Sequence, residues 1–308
     1  MGILKCLYFK NIGEVGFSPQ KTTMQTFSTI NIRDPFILPH NGKYYLYGTR
    51  AAISWNKFAA PGNGFDVYVS EDLNTWSDAH EVFTPSSNFW GKYNFWAPEV
   101  HFFNGKFYMF ASFKADDKCR GTAILESDSP LGPFEPLTDG AVTPADWECL
   151  DGTLYVENDI PYIVFCHEWL QIGAGTVCAQ ELSKDLRNPV GKPWVLWSAD
   201  TPSWRCDMNG KGAFVTDGPF LFRRNNTLCC IWSSFSKGEY VEAIAYSDNG
   251  SIRGKWSVSE SLLLDSNGGH GMLFDTFEGE QMFICHSPNK TPEERPKLIP
   301  AKQLFDKI

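Results

Sequence analysis

The chain has 308 residues, of which 43% are hydrophobic and 15% aromatic, so it can bury a sizeable core and global disorder is excluded. Its net charge of −9 argues against a nucleic-acid partner, because proteins that bind nucleic acids usually present a basic face. No stretch approaches the roughly 18 consecutive apolar residues of a membrane-spanning helix, so we expect no membrane span.

The first predicted element is an N-terminal tail, residues 1–28, ahead of a single domain over residues 29–308. The tail contains a short apolar piece interrupted by Lys and Asn, and it lacks a clean small-residue cleavage site. We therefore predict no signal peptide. The expected location is cytoplasmic, or secreted or periplasmic if a leader has been removed.

Five copies of one motif follow, each a polar two-residue turn before an aromatic or β-branched strand, which is a strong hairpin signal. The turns begin at residues 41, 104, 158, 225 and 278, so they are 63, 54, 67 and 53 residues apart. Each copy also has a strand before the turn, and the first four have a third strand and an outer segment after it. This repeat predicts an all-β, five-bladed β-propeller with four-stranded antiparallel blades, its ring closed by pairing of N- and C-terminal elements.

The nine cysteines lie mostly in apolar runs, and no C-x-x-C pair occurs. In such runs Cys behaves as a small core residue, so we predict free buried thiols rather than a disulfide framework or a zinc site.

The first strand of each blade lines the central channel of a propeller, and here these strands carry acidic residues and a histidine. The five residues that we expect at equivalent positions are Asp34, Glu99, Asp151, Asp217 and His270. Any one of these acids alone would more commonly cap a turn. Like charges gathered in one pocket are typical of a site for proton transfer or for a cation.

Side chains suited to sugar binding occur near these positions. The aromatic candidates are Trp55, Phe95, Trp96, Trp169 and Trp204, and the polar candidates are Arg33, Arg50, His167 and Glu168, with Glu99 from the inner strands. Each Trp taken alone is more commonly a core residue. We expect the long segments 51–63, 114–120 and 197–210 to set the choice of sugar.

The phrases RDPF, WAPEV, DGTLY and DGPFLF on successive inner strands resemble glycoside hydrolase family 43, over about residues 29–300. That family consists of five-bladed propellers and contains α-L-arabinofuranosidases, arabinanases, β-xylosidases and some galactosidases. The combination of the Arg-Asp-Pro, Trp-Ala-Pro-Glu-Val and third-blade Asp phrases is specific, whereas any one of them alone would be weak.

The resemblance implies a role for each carboxylate. Asp34 would be the general base that activates water, and Asp151 the second acid that tunes and orients the proton donor. The family's donor is a Glu before Gly-Pro on the fourth blade, but this chain has Asp217 there, one methylene shorter. Glu168 is the alternative donor.

His270 matches a fifth-blade histidine that in many members of the family faces an axial ion, often calcium, mainly through water. A histidine between glycines could equally hydrogen-bond the substrate. We expect no organic cofactor.

The function that this resemblance implies is an exo-acting, inverting glycosidase. It would release a terminal α-L-arabinofuranosyl residue, or a β-xylosyl or galactosyl-type residue, from a plant-type polysaccharide or oligosaccharide. The alternative is a non-catalytic carbohydrate-binding propeller, favoured by the change from Glu to Asp at position 217. A retaining fructan-type hydrolase would need a Trp-x-Asn-Asp-Pro phrase, of which NIRDPF has only a part. The sequence does not predict the oligomeric state.

Overall fold

The structure is a computed structural model that describes residues 24–53 and 64–306. Within these ranges the chain forms five antiparallel sheets, here called blades 1 to 5 in chain order. Blade 1 contains β1 (Ile32–His40), β2 (Lys43–Arg50), β3 (Phe65–Ser70) and β4 (His80–Phe83). Blade 2 contains β5 (Tyr93–Phe103), β6 (Lys106–Ala115), β7 (Lys118–Ser127) and β8 (Glu135–Pro136).

Blade 3 contains β9 (Cys149–Glu157), β10 (Ile160–His167), β11 (Thr176–Leu182) and β12 (Pro189–Ser198), with the short helix α1 (Trp169–Ile172) after β10. Blade 4 contains β13 (Asp217–Arg224), β14 (Thr227–Ser236), β15 (Glu239–Ser247) and β16 (Trp256–Val258). Blade 5 contains β17 (Gly269–Asp275), β18 (Gln281–Ser287) and β19 (Arg295–Pro300), followed by α2 (Ala301–Phe305). The predicted five-bladed propeller is confirmed; blades 1 to 4 have the predicted four strands, whereas the described part of blade 5 has three.

The hairpin turns between the first two strands of each blade agree with the sequence in four blades. Both turn residues have positive φ in the pairs Asn41–Gly42, Asn104–Gly105, Asn158–Asp159 and Asn225–Asn226. Two left-handed residues define the turn whose twist matches that of the flanking strands. The prediction of a two-residue turn is wrong in blade 5, where residues 276–280 connect the strands and Thr276 N–H bonds the Glu280 carbonyl at 2.8 Å.

The hydrophobic core lies between neighbouring blades rather than at the centre of the ring. One buried cluster joins blades 1 and 2 and reaches blade 5, and others join blades 2 and 3, 3 and 4, and 4 and 5. In the first of these, the ring of Phe113 packs against Phe65, Phe83, Phe89 and Phe95. Polar side chains of the inner strands gather around one cavity, whereas a second cavity between the same strands is lined mostly by apolar residues.

Blades 1 and 5 close the ring by contact between separate sheets. No strand pairing joins them within residues 24–53 and 64–306, so the predicted closure by paired terminal elements is not observed there. Instead, Asn31 Nδ2 donates to the carbonyls of Pro292 and Glu294 at 2.8 and 2.9 Å, and Arg295 Nε donates to the Ser28 carbonyl at 3.0 Å.

The described end of the predicted tail contacts blade 1, where Gln25 and Trp76 exchange two backbone hydrogen bonds. All eight cysteines in the described ranges are free, and six of them are buried. None of the helices in residues 24–53 and 64–306 is long and apolar enough to cross a membrane.

Candidate active site

The inner strand of every blade contains a β-bulge at the same place, where two of its residues face one residue of the second strand. The first bulge residues are Asp34, Ala97, Asp151, Gly218 and His270, one in each blade. All five have φ between +47° and +55°. Bulges redirect side chains and are common beside active sites.

These bulges correct the predicted equivalence of the five polar residues. Asp34, Asp151 and His270 do occupy equivalent positions, but Asp217 precedes its bulge by one residue and Glu99 follows its bulge by one residue. The position before the bulge is the one held by Arg33, Trp96 and Asp217, and all three line the same cavity.

The cavity has a volume of about 760 Å³ and lies at the end of the channel where the bulges meet. It is lined by Asp34, Asp151, Asp217 and His270 together with aromatic and polar side chains from all five blades. The three predicted catalytic carboxylates are thus brought together with the predicted histidine.

Asp34 is held by a dense set of polar contacts. The Thr49 hydroxyl donates to its Oδ2 at 2.7 Å, the Nδ1 atom of His270 lies 3.3 Å from its Oδ1, and its backbone N–H donates to Nδ1 of His286 at 3.2 Å. Burial alone would raise the pKa of Asp34, but the charges of His270 and Arg33 oppose burial, and the pKa lies below its ordinary value. Asp34 is therefore ionised, as a general base must be.

Asp151 and Asp217 have the opposite tendency. Burial, with the charges of Asp217 and Asp34, raises the pKa of Asp151 to about 8 although His270 opposes the change. Burial also raises the pKa of Asp217, whose Oδ2 accepts a hydrogen bond from the Tyr240 hydroxyl at 3.0 Å. The raised pKa values favour the protonated forms of both carboxylates, which is what a proton donor requires.

His270 lies between these carboxylates, with Nδ1 3.3 Å from Asp34 Oδ1 and 3.7 Å from Asp151 Oδ2. Burial alone would lower the pKa of His270, but the three aspartates outweigh burial and raise it. The axial ion that the resemblance implied near this imidazole, held mainly through water, stays a prediction. In the part of the chain that the structure describes, no group of three or more His, Cys, Asp or Glu side chains is arranged to hold a metal ion. The residues present do not fit a directly bound calcium ion, which needs six to eight oxygen ligands.

Four of the predicted substrate-binding residues line the cavity: Arg33, Trp96, Glu168 and Trp169. Trp55 lies outside the described residues.

Phe95, Glu99 and His167 do not line the cavity, and each has a clear alternative role. Phe95 is buried among aromatic rings of the core, 4.9 Å from Phe113. Glu99 bonds His101 at 3.2 Å, one layer further along the channel, and His167 stacks on Trp147 with the ring centroids 4.2 Å apart.

Two further candidates are also structural. Arg50 bonds Asp66 at 2.6 and 2.7 Å, and the Trp204 indole N–H donates to the Ser259 carbonyl at 3.0 Å while its ring packs against Trp232.

The cavity wall that the sequence did not predict centres on Arg120 of β7. This residue is only 6% exposed, and its guanidinium lies 4.3 Å from the centre of the Trp96 ring. It donates to Glu168 Oε2 and, at 3.1 Å, to Asn94 Oδ1. Burial raises the pKa of Glu168 while Arg120 opposes that change, so Glu168 is held as the partner of a cation. The only signal for Arg120 was its place in the segment 114–120.

We expect Arg120→Leu to destabilise the fold by about 3–5 kcal/mol, because it leaves the buried Glu168 carboxylate without its cation. Urea unfolding of this variant and of Arg120→Leu/Glu168→Leu measures the effect. Most of the loss should return in the double variant, in which the orphaned charge is also removed. Equal stability of wild type and Arg120→Leu would contradict the pairing.

The sequence profile of the glycosyl hydrolases family 43 matches residues 25–301. A solved endo-arabinase from Bacteroides thetaiotaomicron VPI-5482 is 38% identical to this chain and superposes on it with a TM-score of 0.82. The match covers 91% of this chain and 97% of the solved one.

Curated relatives include the extracellular endo-α-(1→5)-L-arabinanase 1 of Bacillus subtilis (strain 168), 24% identical over 54% of this chain and 50% of the relative. Another is the extracellular exo-α-(1→5)-L-arabinofuranosidase of Streptomyces chartreusis, 30% identical over 56% of this chain and 53% of the relative. The matched regions thus span about half the length of these two curated relatives.

Proposed function

The chain belongs to the glycosyl hydrolases family 43, and from this we propose that it is an inverting glycosidase that hydrolyses α-L-arabinofuranosidic bonds. The observation that carries the proposal is the convergence of three carboxylates in one cavity, with the pKa of Asp34 lowered and the pKa values of Asp217 and Asp151 raised. Paired groups whose environments push their pKa values apart indicate an acid and a base.

In the proposed reaction Asp34 accepts a proton from the attacking water, and Asp217 protonates the departing glycosidic oxygen. The Thr49 hydrogen bond at 2.7 Å and the His270 contact at 3.3 Å hold the Asp34 carboxylate in place. Tyr240 holds one oxygen of Asp217, leaving the other available for the proton. Inversion requires space for the water between the acid and the base.

Asp217 is the better donor candidate than Glu168. The Arg120 guanidinium bonds Glu168 directly and opposes the rise in its pKa that burial causes, whereas Asp217 accepts a hydrogen bond from the neutral Tyr240 hydroxyl. The names of the relatives support arabinose as the sugar, since the 38% identical solved structure is called an endo-arabinase.

We propose exo action, the release of one terminal residue, because two buried ion pairs flank the cavity. Arg120–Glu168 stands on blades 2 and 3, and Arg33–Glu294, bonded at 2.8 Å, joins blades 1 and 5. Endo action on linear arabinan is the second candidate, favoured by the names of the Bacteroides and Bacillus relatives.

A product assay tests both levels of this proposal. Linear α-(1→5)-arabinan and the 4-nitrophenyl glycosides of arabinofuranose, xylose, galactofuranose and galactose are incubated with enzyme, and products are followed by chromatography and ¹H NMR. We expect free arabinose from the first time points, with the β-anomer appearing first because one displacement inverts the α-linkage. Oligosaccharides among the earliest products would indicate endo rather than exo action. An initial α-anomer would contradict the inverting mechanism.

A further inference from the structure

A ring of hydrogen bonds links each blade to the next at the level of the bulges. In four of the five junctions, a side chain on the second strand of one blade accepts the backbone N–H of the first bulge residue of the following blade. The four bonds are Ala97 N to Thr49 Oγ1 at 2.7 Å, Asp151 N to Ser112 Oγ at 2.8 Å, His270 N to Ser233 Oγ at 2.6 Å, and Asp34 N to His286 Nδ1 at 3.2 Å. These acceptors occupy one register position, opposite the residue before the bulge.

The junction between blades 3 and 4 is the exception. Its register position is held by Cys166, which pairs with Leu150 on β9. A thiol is a weak hydrogen-bond acceptor. The N–H of Gly218 instead donates to Oδ2 of Asp151 at 3.0 Å.

This exchange ties two of the proposed catalytic carboxylates to each other. Gly218 follows Asp217 directly, so the Asp151 carboxylate bonds the backbone that carries the proposed proton donor. The backbone N–H of Asp151 also donates to Ser112 of blade 2. Two hydrogen bonds in series therefore connect blade 2, Asp151 and blade 4.

We propose that Cys166 is a positioning residue: by offering no strong acceptor to the Gly218 N–H, it leaves this amide to the Asp151 carboxylate and so fixes Asp151 and Asp217 relative to one another. The proposal rests on the proposed function, in that it concerns the placement of that reaction's acid.

The surroundings of Cys166 are suited to a hydroxyl. Cys166 is fully buried, and the Thr216 hydroxyl lies beside its thiol. A serine introduced in place of Cys166 has an acceptor for its own proton in Thr216, and its oxygen can accept from Gly218 as Ser233 accepts from His270.

The test compares the effect of Cys166→Ser on kcat in two backgrounds, wild type and Asp151→Ala, where we expect changes in opposite directions. In the wild-type background, Cys166→Ser takes the Gly218 N–H from Asp151, so kcat on an aryl arabinofuranoside should fall about five- to tenfold, the factor that one buried hydrogen bond is worth. In the Asp151→Ala background the amide has lost its acceptor, so the same substitution should raise kcat by a similar factor and raise Tm. KM should be unchanged in both comparisons. Any strain that alanine suffers at the positive φ of residue 151 is common to Asp151→Ala and Asp151→Ala/Cys166→Ser, and it cancels when these two are compared.

Cys178→Ser is the matched control, because Cys178 is buried on β11 of the same blade but lies away from the register position. It should change kcat in the same direction in both backgrounds or not at all. If wild type is active and Cys166→Ser behaves like Cys178→Ser, the role of Cys166 is wrong and the proposed function stands. If wild type hydrolyses no substrate, the proposed function is wrong. The Tm values of Asp151→Ala and Asp151→Ala/Cys166→Ser then decide whether the introduced serine accepts the Gly218 N–H.

Discussion

Asp34→Asn should lower kcat by at least about 10²–10⁴-fold, the contribution of a general base, while the fold and the affinity for sugar persist. The amide cannot accept the proton of water. Residue 34 has φ of +52°, a conformation that Asn tolerates better than other residues with a side chain except Asp, so the backbone need not move. Steady-state kinetics, circular dichroism and calorimetric titration with arabinose measure the three properties.

Asp66→Asn provides the control for general effects of removing a carboxylate, because Asp66 pairs with Arg50 and does not line the cavity. Its kcat should remain near that of wild type. Turnover of Asp34→Asn within a few-fold of wild type, with deamidation excluded by mass spectrometry, would rule out Asp34 as the base.

Asp217→Ala should impair substrates with poor leaving groups far more than activated ones. An ordinary sugar alkoxide needs protonation as the bond breaks, whereas a dinitrophenolate barely does. General-acid assistance contributes about 10²–10⁴-fold, so the deficit should shrink by a comparable factor on the dinitrophenyl substrate.

The pKa shifts of Asp217 and Asp34 predict how the activity of wild type depends on pH. The pKa of Asp217 is raised, so wild type should lose activity only as pH rises through that raised pKa. The pKa of Asp34 is lowered, so the acidic limb should lie below the ordinary range of an aspartate. Removing Asp217 should flatten the alkaline limb on activated substrates.

Glu168→Ala should show neither the leaving-group effect nor the flattened limb. If it shows both, the donor is Glu168 of blade 3 and the proposed role of Asp217 is wrong. If wild type binds sugar but cleaves no substrate, including the dinitrophenyl glycosides, the protein is a non-catalytic carbohydrate-binding propeller and the proposed enzymatic function is wrong.

The five-bladed fold could be predicted because local chemistry repeats along the chain. Asn-Gly and similar pairs place left-handed residues between strands, and they recur at the same point of four blades. The prediction of a two-residue turn was wrong for blade 5. There Gly279 alone has positive φ within residues 276–280, and a longer turn forms.

The register of the inner strands was predicted only in part. Choosing the acidic residue of each strand placed Glu99 and Asp217 one position from their bulges. A better signal was available: each first bulge residue stands directly before Pro or Gly, in the pairs Asp34–Pro35, Ala97–Pro98, Asp151–Gly152, Gly218–Pro219 and His270–Gly271. Backbone geometry, rather than charge, is what repeats.

Arg120 could not be placed in the cavity wall from local pattern. Its contact with Asn94 joins residues 26 positions apart within blade 2, and its contact with Glu168 joins residues 48 positions apart on blades 2 and 3. Such contacts depend on how neighbouring sheets pack, which no single strand specifies.

The hydrogen-bond ring has a direction, since each bulge is supported by the blade before it, and this matters while the protein is being made. The N–H of Asp34 depends on His286, 252 residues further along the chain. At about 5–20 residues per second, translation needs roughly 13–50 s to cover that distance. The proposed base is therefore among the first residues of the domain to leave the ribosome, but its backbone partner emerges with the last blade. A nascent chain that stops before blade 5 carries Asp34 without the contact that orients it, so the active site can be completed only after nearly the whole ring has been synthesised.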